Sequence, residues 1–420
     1  MTTSDPNPPI PSGPGDFEIA VICALKSEAN AVEALFDKFW EDEGVRIEKA
    51  PGDVNAYTIG LIGRHNVVLT WMPRMGKSSA ASVASRLRST FDRIKLPLVV
   101  GICGGVPNAT DGREILLGDV IISSGIVQYD SGRQLPTAYM PKHAPDRPNS
   151  EIQAFLNKLE GIRSRGLIQG RASDYLAELL KKEDFQDSQH PGAVEDKLYK
   201  PAYRHKHRDT SSCGICEKEK EVCNMALDST CIELKCNEME LVSRRRLEDI
   251  KKISTTVSDK DDAALEETLK PLLHFGLVAS GDTVMKSGEH RDRIADSNKE
   301  KVIAFEMEAA GVCETYRGAV VVIKGVCDYA DSHKNKKWQG YAAATAAAHM
   351  KAVLEEWLPP SKPAPVAATY DKSVSYVNEV TPGSLYSDKA SKTPAVSLEK
   401  ARPPQVCTRG LRAWCYASKS

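Results

Sequence analysis

Apolar runs that end in glycines or an acid constrain the fold of this chain more than any other feature. Three of them are "FEIAVICAL" from residue 17, "LPLVVGICGG" at 96–105 and "GAVVVIKGVCDYAD" at 318–331. Segments of helical spacing alternate with them, such as 76–91 and 340–358. Strands that are apolar throughout are buried on both faces of a sheet. The pattern predicts an α/β protein, a three-layer α/β/α sandwich around a mixed, mostly parallel twisted sheet.

Changes in composition and hydrophobic periodicity divide the chain into a leader, a domain, an insertion within that domain and a tail. Residues 1–15 are rich in proline, serine and glycine, and we expect a disordered leader there. One domain is predicted over 16–358, with a long, irregular insertion at about 141–271 that is partly helical and partly disordered. Residues 359–420 lack periodicity, which predicts a disordered tail.

Composition limits which binding partners and which cellular compartment are expected. The formal net charge of −1 favours neither nucleic acid nor a membrane surface as a partner. No apolar run is long enough to span a bilayer, and the first residues have neither the basic nor the apolar part of a secretory signal. Several of the eleven cysteines lie in apolar segments, as small reduced hydrophobes do. We therefore expect a cytoplasmic protein.

Two glutamates, Glu306 and Glu308, stand in the otherwise apolar stretch "AFEMEAAG". A parallel sheet binds ligands at the carboxyl ends of its strands, where this stretch is expected to lie. If the strand ends near Phe305 and a helix follows, the two side chains project about 200° apart, so at most one faces a ligand. A carboxylate suits the two hydroxyls of a ribose diol. The alternative is a pair of first-turn glutamates favoured by the helix dipole.

Two further acids are expected at strand ends. Asp328 follows a run of strong β-formers, where a buried acid can serve as a proton donor. It could equally cap a helix. Glu28 lies just after the first strand and is either a general base for water or an ordinary first-turn glutamate.

A cysteine-rich segment in the insertion has half of a metal-binding spacing. Cys213 and Cys216 form a CxxC pair, but no second clean pair accompanies it. We expect reduced or redox-active cysteines in a loop, with structural zinc as the alternative. The other candidate ligands nearby are Cys223, Cys231, Cys236, His205 and His207.

Six motifs in a fixed order resemble those of the nucleoside phosphorylase superfamily. The resemblance is nearest to 5′-methylthioadenosine/S-adenosylhomocysteine nucleosidases and to the related N-terminal domain of fungal NLR-type proteins. It covers roughly residues 16–140 and 272–358. The motifs are "CALKSEA", "VGICGGVP", "LLGDVIIS", "GLVASGDTVM", "FEMEAAG" and "GVCDYAD".

The resemblance implies a role for each matching residue. Asp328 is the general acid that protonates N7 of a purine, and Glu28 activates the attacking water. Glu308 binds the ribose diol, and Met307 packs against the sugar. The implied base-edge wall is Val284 with the main chain of Met285, and the implied turn beneath the sugar contains Cys103 and Gly104.

The same resemblance favours hydrolysis. Phosphorylases of the superfamily carry an arginine for phosphate in the first-strand loop, and Glu28 stands at the nearest position here. Arg74 and Lys77 could nevertheless hold a phosphate, including one on the substrate. The expected function is a purine nucleosidase that cleaves an adenine-type nucleoside or nucleotide. A phosphate-dependent phosphorylase or a nucleoside-sensing effector module of an NLR-like protein is the alternative. The implied protein is a homo-oligomer that needs no metal or organic cofactor.

Overall fold

The apolar runs form the strands of one nine-stranded sheet. The computed structural model describes residues 9–136, 139–141, 145–208, 213–218, 220–256, 270–297 and 300–358. The predicted tail at 359–420 and residues 1–8 of the predicted leader lie outside them. The strands of the main sheet are β1 Ile19–Cys23, β2 Lys38–Phe39, β3 Ala56–Ile62, β4 His65–Trp71, β5 Leu96–Gly105, β6 Val120–Gln128, β9 Leu273–Ser280, β10 Val302–Glu306 and β11 Val321–Asp328, and the pair β7 Gly132–Gln134 and β8 Tyr139–Pro141 forms a separate hairpin.

The sheet is mixed, as the sequence predicted. Its order is β10-β9-β6-β11-β5-β1-β4-β3-β2. Strands β4, β1, β5 and β11 run parallel to one another, as do β6, β9 and β10. Strand β10 also pairs antiparallel with the end of β5, where Phe305 faces Gly104. This extra pairing closes five strands into a ring and brings the end of β10 beside the ends of β5 and β11.

Helices cover the sheet and complete the α/β/α architecture. The last helix, α10 (Trp338–Glu356), packs on β5, β6 and β11 and also against α1 (Lys26–Glu33) and α4 (Ile162–Leu180). It lies so close to β11 that a methyl group on Gly325 would come 2.0 Å from the carbonyl oxygen of Ala342. The helices are α1 Lys26–Glu33, α2 Lys77–Thr90, α3 Ser150–Glu160, α4 Ile162–Leu180, α5 Gly214–Glu217, α6 Asn224–Asp228, α7 Arg245–Thr256, α8 Gly288–Asp296, α9 Ala309–Cys313 and α10 Trp338–Glu356.

The predicted insertion is attached to the domain by buried contacts. Helices α3 and α4 contribute apolar side chains to the main core. Farther along, Arg246 of α7 contacts the buried carboxylate of Asp119, which also accepts from His274 at 2.9 Å. Arg246 and His274 hold the pKa of Asp119 well below its usual range, although burial alone would raise it. The described helices include none with the length and apolarity that a membrane span requires.

Candidate active site

The two glutamates of "AFEMEAAG" have different surroundings. Glu306 is the last residue of β10, and its carboxylate accepts hydrogen bonds from the backbone amides of Glu308 and Ala309 at 3.0–3.1 Å. Burial, together with the nearby Glu308, raises the pKa of Glu306 to about 7. Glu306 therefore shapes the start of α9. The two carboxylates thus have different partners, but the predicted helical angle of 200° does not apply to them, because Glu306 ends a strand and Glu308 caps the helix that follows.

Glu308 forms an ion pair with a buried lysine. Its Oε2 is 3.1 Å from Nζ of Lys324, a β11 residue with 1% of its surface exposed. Its Oε1 accepts from the backbone amide of Gly76 at 3.4 Å. Burial alone would lower the pKa of Lys324, but Glu308, Glu28 and Glu306 raise it above its ordinary value. The lysine is thus held in its charged form among carboxylates.

Glu28 is fixed in the same place by main-chain donors. Its Oε2 accepts from the amides of Ala24 and Leu25 at 2.9 and 2.8 Å, and its Oε1 accepts from the amide of Ile102 at 2.8 Å. Oε1 also lies 3.9 Å from Nζ of Lys324. Burial raises the pKa of Glu28, and Lys324 partly opposes that rise. The side chain fills the space where Gly101 has no Cβ, since a methyl group there would lie 2.0 Å from Oε1.

Asp328 ends β11 and has two different oxygen environments. Its Oδ1 accepts from the amide of Ala330 at 2.8 Å, and its Oδ2 is 2.8 Å from Nζ of Lys334. Gly104 allows this approach, because a Cβ there would lie 2.8 Å from Oδ1. One oxygen of Asp328 is thus bound by the main chain and the other by a lysine side chain.

Comparison with known proteins gives a family match and one relative. Residues 18–166 match the family described as the phosphorylase superfamily. This part of the chain is therefore similar to the phosphorylase superfamily. A nucleotide-binding leucine-rich repeat (NLR)-like protein of Hyaloscypha variabilis is 30% identical over 347 residues, which is 81% of this chain. The match spans 29% of the length of that relative.

Solved structures with a similar course of the chain include two bacterial hydrolases. One is the 5′-methylthioadenosine/S-adenosylhomocysteine nucleosidase of Neisseria meningitidis, with 15% identity, a TM-score of 0.44, and coverage of 81% of this chain and 99% of the other. Futalosine hydrolase of Helicobacter pylori gives the same four values.

The residues predicted to bind base and sugar differ in burial and position. Met307 is half-buried between the two glutamates of its motif. Met285 is buried in an apolar cluster, whereas Val284 beside it is 49% exposed. Cys103 is buried at the end of β5, and its carbonyl accepts from the Cys327 thiol at 3.4 Å. Gly104 follows it at the Asp328 carboxylate, and both residues belong to β5, so they form the end of a strand rather than the predicted turn.

The two residues predicted to hold phosphate differ in accessibility. Nζ of Lys77 lies 2.5 Å from a carboxylate oxygen of Asp130 and 4.0 Å from one of Asp282. Arg74 is exposed on the loop that precedes α2. The lysine is thus paired with acids in this structure, while the arginine side chain faces solvent.

Two lysines of the site were missed by sequence reasoning. Lys324 stands alone inside the apolar run "VVVIKGVC", and a cation in a strand buried on both faces needs an anionic partner. That signal was available, although the partners are remote in sequence. Lys334 lies in a polar connection and has no comparable signal. Metal-ligating side chains gather elsewhere, in two clusters of cysteine and histidine contributed mainly by the insertion.

Proposed function

We propose that this protein hydrolyses the N-glycosidic bond of a purine nucleoside or nucleotide, with an adenine-type base. The observation that carries the proposal is the sharing of one buried lysine by Glu28 and Glu308, close to the end of the strand that bears Asp328. Three carboxyl groups and one ammonium group thus occupy neighbouring strand ends, which is where α/β sheets bind ligands.

The proposed roles follow the charge that develops in the reaction. As the bond between C1′ and N9 breaks, the sugar becomes oxocarbenium-like, and the electron pair of the bond passes to the purine. Asp328 gives a proton to N7, so the base leaves neutral. Glu28 takes a proton from water as its oxygen bonds to C1′. Glu308 accepts hydrogen bonds from the ribose diol, with Met307 against the sugar. The products are free base and free ribose or its 5′ derivative.

The contacts of the lysines favour water over phosphate as the nucleophile. Lys324 is already bound to two carboxylates, and Lys77 is paired with Asp130. A phosphate would need an available cation at the position of Glu28, which instead carries a negative charge when ionised. Arg74 is open to solvent and could contact a phosphate on the 5′ side of a nucleotide.

A substrate panel tests the proposal. The full chain is incubated with adenosine, methylthioadenosine, inosine and AMP, with and without inorganic phosphate, and free base is measured by chromatography. Base release without phosphate is expected. A requirement for phosphate would replace hydrolysis with phosphorolysis, and no free base from any compound would refute cleavage of this panel.

An Asp328→Asn variant tests the acid. It should lose base release by at least 100-fold, since general acid catalysis contributes about 10²–10⁴-fold, while nucleoside binding remains. The matched control is Asp296→Asn, at a surface acid that is paired with Lys301. It should retain full turnover. Undiminished turnover in Asp328→Asn would contradict the assignment.

A second candidate function is supported by the NLR-like relative. In that case the domain binds a purine nucleoside as a signal and passes the bound state to further segments of a larger protein. Calorimetric binding of a nucleoside with no base released over hours would favour this function. Rapid release of the base would instead indicate that cleavage of the nucleoside is itself the signal.

A further inference from the structure

Five cysteines and three histidines outside the active site form two compact groups. The His333 cluster joins two cysteines and one histidine of the insertion to a residue of the loop after β11. The CxxC cluster lies wholly within the insertion. In each, one ligand atom from every member lies within 4.8 Å of the others. The members are His205, Cys231, Cys236 and His333 in the first cluster, and His207, Cys213, Cys216 and Cys223 in the second.

The spacing of the ligand atoms is that of a tetrahedral metal site. In the His333 cluster, Nδ1 of His333 lies 3.5 Å from Sγ of Cys231 and 3.8 Å from Sγ of Cys236. In the CxxC cluster, Nδ1 of His207 lies 3.5 and 3.4 Å from the sulphurs of Cys216 and Cys223. Zinc bonds of about 2.3 Å to sulphur and 2.0–2.1 Å to nitrogen, at a tetrahedral angle, separate those two atoms by about 3.5 Å.

The imidazole rings are oriented for metal binding. Nε2 of His333 lies 2.9 Å from the carbonyl oxygen of Tyr203, which can only accept, so Nε2 carries the proton and donates it. The lone pair of Nδ1 is then free to point at the two sulphurs. Such a second bond to a backbone carbonyl is the usual support of a zinc-bound histidine. His205 is 2% exposed, and among the described residues neither of its ring nitrogens has a hydrogen bond of normal geometry, although the ring neighbours the Cys231 thiol.

The segment around the CxxC cluster has too little apolar core to fold on its own. Its buried members are Cys216, Cys223, Ala226 and Leu234. Larger apolar residues lie outside, among them Ile232 at 84% exposure. Small segments with so little buried apolar surface usually depend on disulfides or metals. The described cysteines are all free thiols, which leaves metal as the cross-link.

We propose that each cluster binds one Zn²⁺ ion and that the ion of the His333 cluster fixes the loop from Asp328 to Lys334. Thiolate and imidazole ligands in tetrahedral sets of four select Zn²⁺ over the hard cations. Complete sets of four protein ligands make both sites structural.

The His333 cluster reaches the active site through the chain itself. His333 lies five residues after Asp328, and Lys334 beside it contacts the Asp328 carboxylate at 2.8 Å. The amide of His205 donates to Oγ of Ser332 at 3.2 Å, and Tyr199 stacks on His333 with ring centroids 4.0 Å apart. A metal bound here would tie the insertion to the loop that carries Lys334. His333 is thus a positioning residue, and this part of the inference rests on the proposed function.

Metal content tests the two sites independently of any activity. The full chain, purified without a metal-affinity tag, is analysed by native mass spectrometry and elemental analysis. Two zinc ions per chain are expected. The double variants Cys231→Ser/Cys236→Ser and Cys213→Ser/Cys216→Ser should each retain one, and the control Cys313→Ser, at a buried cysteine of α9, should retain two. Fewer than two zinc ions in the unmodified chain after incubation with Zn²⁺ would overturn the proposal.

Cobalt substitution reports the geometry of the same sites. Replacement of zinc by Co²⁺ should give the visible bands of a tetrahedral, sulphur-ligated ion, and each double variant should lose its share of them. Bands typical of octahedral oxygen ligation would refute the ligand sets. If a double variant does not fold, stepwise chelation of the unmodified protein must release two metal equivalents, and release of none would overturn the proposal equally.

Hydrogen exchange tests the link to the loop. Loss of the His333 cluster by Cys231→Ser/Cys236→Ser, or chelation if that variant does not fold, should increase exchange of the amides at 329–334 by at least tenfold. Loss of the CxxC cluster should change them less. Unchanged exchange at 329–334 after loss of the His333 cluster metal would refute the positioning role. The result is independent of the substrate panel, so either proposal can fail without the other.

Discussion

Removing the buried ammonium group of Lys324 should destabilise the fold in a pH-dependent way. In Lys324→Met the side chain keeps its approximate length but loses its charge. Nζ lies 3.1 Å from Glu308 and 3.9 Å from Glu28. At an effective dielectric constant of about 20, these distances correspond to attractions of about 5 and about 4 kcal/mol, which the desolvation of the three ions offsets in large part.

The net loss is limited by proton uptake. Without Lys324, the pKa of Glu28, already raised by burial, rises further, and the folded state can relieve the unpaired charge by binding a proton. Protonating a glutamate whose unfolded pKa is about 4.3 costs about 4 kcal/mol at pH 7.5 and about 1 kcal/mol at pH 5. Because an acid with a raised folded pKa binds more protons when folded, the variant gains stability relative to the parent as pH falls.

Urea unfolding followed by tryptophan fluorescence measures this difference. The free energy of unfolding of Lys324→Met should be about 3–5 kcal/mol below that of the parent at pH 7.5. The deficit should shrink to about 1–2 kcal/mol at pH 5. The control Lys95→Met removes a surface pair with Glu18 at 2.9 Å, and should cost less than about 1 kcal/mol at either pH. A Lys324→Met deficit that is equal at both values, or below 1 kcal/mol at pH 7.5, would refute the reasoning.

Two further predictions concern neighbours of this lysine. Gly101→Ala should reduce base release and the free energy of unfolding together, because the added methyl group would lie 2.0 Å from the Glu28 carboxylate and displace it. Kinetics with urea unfolding check this, and a fully active, fully stable variant would contradict it. The folded pKa of Glu306 is raised to about 7, so Glu306 makes the free energy of unfolding fall as pH rises from about 4.5 to about 7. The total change is about 3 kcal/mol. In Glu306→Gln the free energy of unfolding should depend less on pH over that window. An unchanged slope would mean that another group causes the pH dependence.

Local patterns were sufficient for several elements of the fold. The helices α2 and α10 form where the helical spacing of 76–91 and 340–358 predicts them. The end of β11 at Asp328 was also predictable, because an acid after a run of β-branched residues marks the edge of a buried strand. These features depend on residues that are neighbours along the chain.

The candidate active site was less accessible to such reasoning. Glu28, Glu308 and Asp328 were predicted from motifs, but their pattern does not reveal what neutralises them. Lys324 lies 16 residues from Glu308 in sequence and much farther from Glu28, and the sheet order alone brings them together. The spacing of the motifs also gave no hint that β10 pairs with the end of β5.

The α/β alternation and the acids at strand ends can be predicted from local sequence, since both follow from side-chain periodicity and burial. In the cysteine-rich segment, the sequence showed only half of a metal-binding motif. The folded chain brings His333, about a hundred residues beyond Cys231 and Cys236, into a set of four candidate ligands. Folding placed it there because the loop after β11 lies against the insertion, and a contact of that range has no local signature in the chain.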